Sequence, residues 1–311
     1  MALIVVLLVL SLLLAIVGEF AQAMRLEAVT TGNFRSTVTA GHLAEAAFQR
    51  ALAEILPDAL DHELDPAGLL VFRRLRRGAP EAPVRLDVPL GPGRYSYRIT
   101  DEAARLNLNL ATPDVLRRLL TEVGVEQAAR DVIVDSIQDW RDPNEEHRLN
   151  GAESDYYLSL PVPYRSKNAG FDSVDELLQV RGVTPGIFHG RPESPGLGHY
   201  LTMAGTGALN VNTVSPLVLR VLGFAEAEAA LLVAGRPYVD LSGLSTQLRR
   251  GNLRTRSDTF RVEAWGKVAG QRGRTLTAVV QRRLGRDGTA RGVPLGWRWA
   301  DTPPVDPATD R

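Results

Sequence analysis

The chain has 311 residues, enough for two modest domains, with 36 basic and 36 acidic side chains and a formal net charge of +0. That balance excludes a global basic field that would gather nucleic acid, and the absence of cysteine excludes disulfides, thiolate metal sites and a cysteine nucleophile. The histidines form no His-Glu-x-x-His pattern and no serine sits in a Gly-x-Ser-x-Gly elbow, so no hydrolase signature is present.

Residues 1–17 carry no charge and only Ser11 as a polar side chain. As a helix this run spans roughly 25 Å, and with Gly18 to Ala23 it reaches across a bilayer core of about 30 Å. A cleaved signal peptide is suggested by Ala21-Gln22-Ala23, but the basic segment that should precede the apolar run is missing. A buried core helix would need a polar face, which this run lacks. We read it as a membrane anchor that stays with the mature protein. Beyond Glu19 the pattern turns amphipathic through Phe20, Met24, Val29, Phe34, Val38, Leu43, Ala47, Leu52 and Ile55. The spacing predicts one long helix, loosened at Gly32 and Gly41 and ended at Pro57. A helix with its first half in lipid and its second half on a globular head is the layout of type IV pilin-like subunits.

Residues 58–93 read as a connecting region with one short helix and a basic cluster at Arg73-Arg74-Leu75-Arg76-Arg77, taken as a solvated face rather than an anion site. Tyr95 to Ile99 alternates as a strand. The segment Leu106-Asn107-Leu108-Asn109-Leu110-Ala111-Thr112-Pro113 returns as Leu209-Asn210-Val211-Asn212-Thr213-Val214-Ser215-Pro216. Each copy places alternating residues before a Thr or Ser N-cap, a proline at the first helical position and an apolar helix. The asparagines are assigned the task of tying strand ends to backbone.

Between the copies lie predicted helices over 112–124 and 126–140 and around Phe171 to Val183, the last with a Ser173/Glu176 capping box. The last resembles half of a helix-hairpin-helix. It lacks the basic residue that would grip DNA, so it is taken as a packing unit. Asp139, Asp142, Asn144, Glu145, Glu146, Glu153 and Asp155 crowd residues 139–155, and Pro143 and Gly151 keep them off one helical face. Such a loop suits a hard cation, since Ca²⁺ is held by carboxylate, amide and carbonyl oxygens, although the EF-hand spacing is absent. The alternative is a solvated acidic loop compensated by Arg141, His147 and Arg148. Further on, Leu241 to Leu248 is a possible short helix. Thr259 to Val268 and Thr275 to Arg282 form a predicted antiparallel hairpin, and 286–311 is a Pro/Gly-rich flexible tail.

The combination Asp139-Trp140-x-Asp142, Gly151-Ala152-Glu153-x-Asp155-x-Tyr157, Pro163-Tyr164 with Asn168, Asp175-Glu176-Leu177-Leu178-x-Val180-x-Gly182 and Asn210-Val211-Asn212-Thr213 resembles the general secretion pathway protein K family. These are the large minor pseudopilins of type II secretion systems. The resemblance implies an α+β fold: a long, partly transmembrane helix (1–56), a pilin-like antiparallel sheet (57–109 with 209–285), and an inserted all-helical domain (110–208). It implies a non-enzymatic, single-pass inner-membrane subunit with a periplasmic head, processed by prepilin peptidase and methylated. That subunit caps or initiates the pseudopilus tip with other minor pseudopilins, contacting the major pseudopilin and membrane lipid but no nucleic acid. It also implies structural Ca²⁺ in the insert, carried here by Asp139, Asp142, Asn144, Glu153 and Asp155, with Asn144 where an acid is common. Val5 stands where most pilin-like subunits carry Glu; an unpaired Glu in lipid would be costly, which suits a subunit with none ahead of it. The rival class is a membrane-tethered nucleic-acid-binding or hydrolytic periplasmic protein.

Overall fold

In the computed structural model, residues 2–58, 62–64, 70–72, 84–191, 193–249, 252–269 and 273–301 are described. A single helix, α1, runs from Ala2 to Asp58, 57 residues or about 85 Å, unbroken at Gly32 and Gly41 and reaching one residue past Pro57. Its first two-thirds pack against none of the described residues: Leu3 through Phe34 stand exposed, and the most apolar window has a mean hydropathy of 2.9 with no residue buried. The last third docks through Ala40, Leu43, Ala44, Ala47, Ala51 and Ile55, a stripe at helical spacing made mostly of the smallest side chains.

That stripe lies on a five-stranded antiparallel sheet of β1 (Val88–Leu90), β2 (Gly93–Asp101), β3 (Thr259–Val268), β4 (Arg274–Leu284) and β5 (Ala290–Ala300). The spatial order is β5-β4-β3-β2-β1. Small residues on the helix allow close approach only if the sheet is also bare there. A Cβ on Gly266 of β3 would strike the Ala40 carbonyl and the Ala44 amide, and one on Gly93 of β2 would strike Leu43. Polar ties finish the docking: Glu54 of α1 accepts hydrogen bonds from Arg85 (3.1 Å) and from the Tyr97 hydroxyl, and Arg282 donates to the Leu56 carbonyl (3.0 Å).

The alternating segments at 95–99, 259–268 and 275–282 are strands as predicted, the last two paired from Thr259↔Gln281 to Gly266↔Arg274. The C-terminal region departs from expectation. Residues 290–300 form an edge strand rather than a flexible tail, and only 302–311 lie outside the described residues. Pro294 is tolerated because β5 is the outermost strand and the β4 register slips beside it, from Val279↔Gly296 to Val280↔Pro294. The Arg73–Arg77 cluster lies outside the described residues, and no helix occurs between 59 and 93 among those described. Leu241 to Leu248 forms turns, not a helix.

Strands β2 and β3 are hydrogen-bonded neighbours, Asp101 opposite Phe260, yet more than 150 residues separate them in sequence. Everything between is a nested helical unit. It contains α2 (Pro113–Glu122), α3 (Gln127–Arg141), α4 (Ser154–Leu158), α5 (Pro185–His189), α6 (Pro216–Val221) and α7 (Glu226–Ala234). Its core runs from Leu106 and Leu108 through Leu209, Val211 and Leu232, with Leu253 packed against it, separate from the core of α1 and the sheet. The insert is therefore larger than the expected 110–208, because both echo segments belong inside it. Each echo strand is two residues long and parallel to a short neighbour, Leu106–Asn107 beside Leu201–Thr202 and Leu209–Asn210 beside Leu253–Arg254. Thr112 and Ser215 cap α2 and α6 with Pro113 and Pro216 behind them, as the sequence predicts.

The joint between the units is a buried polar cluster. Asp101 accepts from Ala103 N (2.8 Å), Asn210 Nδ2 (2.8 Å) and Thr213 Oγ1 (2.6 Å). Glu102, equally buried, pairs with Arg261 (2.7 Å) and Arg105 (3.3 Å).

Candidate functional site

Helix α3 sets up the acidic loop. Its apolar face buries Ile133, Val134, Ile137 and Trp140, and Trp140 sits among aromatic rings, edge-on to Tyr157 at 5.3 Å and stacked on Phe171 at 6.3 Å. In the last turn Arg141 reaches the carbonyls of Leu108 (3.0 Å), Asn109 (3.2 Å) and Ala111 (2.9 Å), which anchors the helix end to the first echo. With its end fixed on both sides, α3 carries Asp139 inward, where its side chain is 0% exposed. A Cβ on Gly151 would overlap the Asp139 carboxylate, so the glycine makes the room in which that group sits.

The loop then folds back on α3. Arg148 Nη1 donates to Asp139 Oδ1 and to Asp142 Oδ2, at 2.5 Å each, and the Arg148 main-chain N–H also points at Asp139 (3.3 Å). Asp142 Oδ1 accepts from Asn144 Nδ2 (2.8 Å), while Asn144 Oδ1 accepts from Glu146 N (2.7 Å), a turn that spends the Asn144 amide within the loop. Glu145 accepts from Ser154 N (3.2 Å), Ser154 Oγ (3.0 Å) and Asn168 Nδ2 (3.0 Å). Asn168 does so from the left-handed region, φ 48°, which asparagine tolerates. Glu153, 1% exposed, accepts from Ser166 Oγ (3.1 Å) through Oε2, while its buried Oε1 has no partner among the described residues.

The electrostatics follow from this crowding. Burial pushes the Glu153 carboxyl up to about 7; the Ser166 hydroxyl pulls it back, and the charges of Asp139, Asp142 and Glu145 push it further up. Glu145, by contrast, is held below the usual carboxylate range by the Ser154 hydroxyl and amide. For Arg148, burial opposes the charge, but Asp142 and Asp139 outweigh it and raise the guanidinium pKa.

Of the residues singled out from sequence, Asp139 and Asp142 are brought together and Glu153 lies within their field. Asn144 is turned onto the loop itself, and Asp155 faces outward, paired with His147 at 3.1 Å. Among the proposed compensating charges, Arg148 serves the buried acids, His147 serves Asp155, and Arg141 serves backbone carbonyls instead. Sequence reasoning left Glu145 out of the ligand set although it stood in the same acidic run; Ser166 gave no signal at all.

The donor set is all oxygen, as a hard cation requires; the Gly151 cradle and the unpartnered Glu153 Oε1 suit one as well. Among the described residues, however, no three His, Cys, Asp or Glu side chains converge at metal-binding distance. A positive group already bridges the two aspartates: Arg148. A cleft of 470 Å³ lies elsewhere, between insert and sheet, lined by Glu102, Asp175, Thr202, Arg261 and Trp297 and spanned by the Arg298–Asp175 pair at 3.0 Å.

Residues 100–190, from the end of β2 through the acidic loop to α5, match the family model for type II secretion system (T2SS), protein K. The chain is 29% identical over 270 residues to type II secretion system protein K of Aeromonas hydrophila, covering 80% of this chain and 73% of that one. The chain is similar to the type II secretion system protein K family. A second protein K, from Pectobacterium carotovorum subsp. carotovorum, is 28% identical over 191 residues, 54% of this chain and 56% of the relative, so the match spans little more than half of that protein. The fold is also that of a chain in the crystal structure of the GspK-GspI-GspJ complex from the enterotoxigenic Escherichia coli type 2 secretion system. The TM-score is 0.60 at 17% identity, with 90% of this chain and 99% of that one covered. The protein K family match begins where β2 ends, so the segment it describes is the first part of the nested insert.

Proposed function

We propose that this chain is a minor pseudopilin that sits at the tip of the pseudopilus, anchored in the inner membrane by the first part of α1 with its head in the periplasm. The observation that carries this reading is the division of α1. Leu3 to Phe34 expose apolar surface with nothing among the described residues to cover it, while Ala40 to Ile55 hold the head. Lipid and the helices of other minor pseudopilins supply the missing cover, as the solved complex of a related fold suggests. The insert, stacked on one end of the sheet, then obstructs addition of a further subunit. Prepilin peptidase processing, methylation and contact with the major pseudopilin belong to the same reading, and no catalytic step does. The test is co-purification of the full chain in detergent with the neighbouring minor pseudopilins. Leu10→Asp, which costs about 3 kcal/mol in the bilayer centre, should abolish both membrane retention and the complex. Retention of the complex by that variant counts against the reading.

The acidic loop is proposed to hold a structural Ca²⁺ through Asp139, Asp142 and Glu153, with Asn144 and Asp155 the outlying donors of the family pattern. The ion's role is to neutralise buried carboxylates that otherwise repel. Binding would stabilise the fold by roughly 2.7 kcal/mol at a hundredfold excess over Kd. Chelation should lower the melting temperature of the full chain by several degrees and leave Asp142→Ala almost unmoved. No melting shift with millimolar calcium sinks this part alone.

A further inference from the structure

The position between Asp139 and Asp142 is already filled by this chain's own cation, and Arg148 is far from an ordinary surface partner. One nitrogen, Nη1, lies 2.5 Å from an oxygen of each aspartate, so one end of a single guanidinium bridges both. Calcium–oxygen distances of about 2.3–2.6 Å fall in the same range, and a guanidinium and a divalent ion cannot both occupy that position. Asp139 is fully buried and Asp142 19% exposed, but the Arg148 side chain is 41% exposed, so it enters the site from the surface. Its main-chain N–H remains on Asp139 independently of where the side chain goes. Departure of the guanidinium therefore leaves the loop backbone and the Gly151 cradle in place. Glu153, whose buried Oε1 has no partner among the described residues, feels the charge of both aspartates, and the guanidinium does not satisfy it.

We propose that Arg148 is a tethered plug: it occupies the cation position in the metal-free protein, swings into solvent when Ca²⁺ binds, and so sets the calcium concentration at which the loop loads. This rests on the calcium reading given above and adds a competitor to it. The guanidinium offers one charge from one side. A divalent ion offers two, so the exchange is favoured only when calcium is abundant.

Calcium binding to the full chain in detergent, measured by calorimetry for wild type, Arg148→Gln and Arg148→Lys, tests this. Removal of the plug should tighten binding about tenfold or more in Arg148→Gln, with Arg148→Lys between the two. Equal affinities for wild type and Arg148→Gln overturn the plug while the calcium reading stands. Loss of binding in Arg148→Gln alone also overturns it, since Arg148 would then be part of the site. No binding to any of the three at millimolar calcium overturns both readings. Should Arg148→Gln fail to fold, the wild type decides: with arginine-selective ¹⁵N labelling, the Arg148 side-chain N–H signal should lose its exchange protection as calcium is added. Protection that survives saturation overturns the plug.

Discussion

Two buried residues illustrate opposite uses of a polar side chain in this insert. Asn212 is fully employed: its amide donates to the carbonyls of Tyr238 (2.9 Å) and Thr255 (3.0 Å) and its oxygen accepts from Tyr238 N (2.7 Å). Truncating it strands three part-buried backbone groups, so Asn212→Ala should cost about 2–4 kcal/mol. A melting curve within a degree of wild type would show that water replaces the lost bonds. Glu153 is under-employed, with one oxygen unpartnered and its pKa raised by burial first and by neighbouring carboxylates after it. A neutral amide of the same shape removes the repulsion, so Glu153→Gln should stabilise the chelated protein by on the order of 1 kcal/mol. In calcium the sign should reverse, because a ligand is lost. Melts in chelator and in calcium chloride give both signs in one experiment; destabilisation of equal size in both would make Glu153 a packing residue only.

At the scale of elements, what holds α1 to the sheet is the absence of side chain on both sides. Gly266 lies under the Ala40 carbonyl and Ala44 amide, backbone atoms that cannot rotate away, so Gly266→Ala must lift the helix off β3. Overpacking of this kind costs typically about 1–3 kcal/mol, and the double variant with Gly93→Ala should lose more than either alone. An unchanged denaturation midpoint for Gly266→Ala would mean the helix rides higher than described. The same elements show what the sequence made legible. The stripe through Leu43, Ala47 and Ile55, the β3–β4 hairpin and the Thr112 and Ser215 caps are local signals, written in spacing and cap chemistry, and each is found in place. Strand β5 was not legible, because Pro294 and the glycines at 292 and 296 read as a tail until its edge position and register slip are known. In the candidate site, the acidic run was visible but its partner was not: that Arg148 turns inward to Asp139 while Arg141 turns to carbonyls depends on the fold of the loop.

For the whole molecule, the decisive fact is that β2 and β3 are neighbours in one sheet while the helical unit is strung between them. Asp101 pairs with Phe260 in an unbroken register that continues to Gly93↔Val268, so the sheet makes no use of the intervening chain for its own pairing. The two cores are also separate: Tyr97, Ile99, Phe260 and Val262 pack with Ala47, Ala51 and Ile55, whereas Leu108, Leu120, Ile137 and Val211 pack with one another. The echo segments sit inside the second core, so rejoining the chain at Leu108 and Val211 would leave torn halves of it exposed. The correct cut is at the joint. Joining Asp101 to Phe260 through Asn-Gly gives a hairpin in which the strand ends already lie side by side. It removes Glu102, whose ion pair with Arg261 is lost, and frees Asp101 from Asn210 and Thr213, but both positions then face water. The shortened chain should therefore keep a cooperative melt and a strand-dominated spectrum above the helical contribution of α1, and the excised insert should melt cooperatively by itself. Secretion by a strain carrying only the shortened chain should fail, since the part proposed to obstruct further subunit addition is gone. A shortened chain without a cooperative transition would show that the sheet depends on the insert for stability, and secretion at wild-type level would show that the insert is dispensable at the tip.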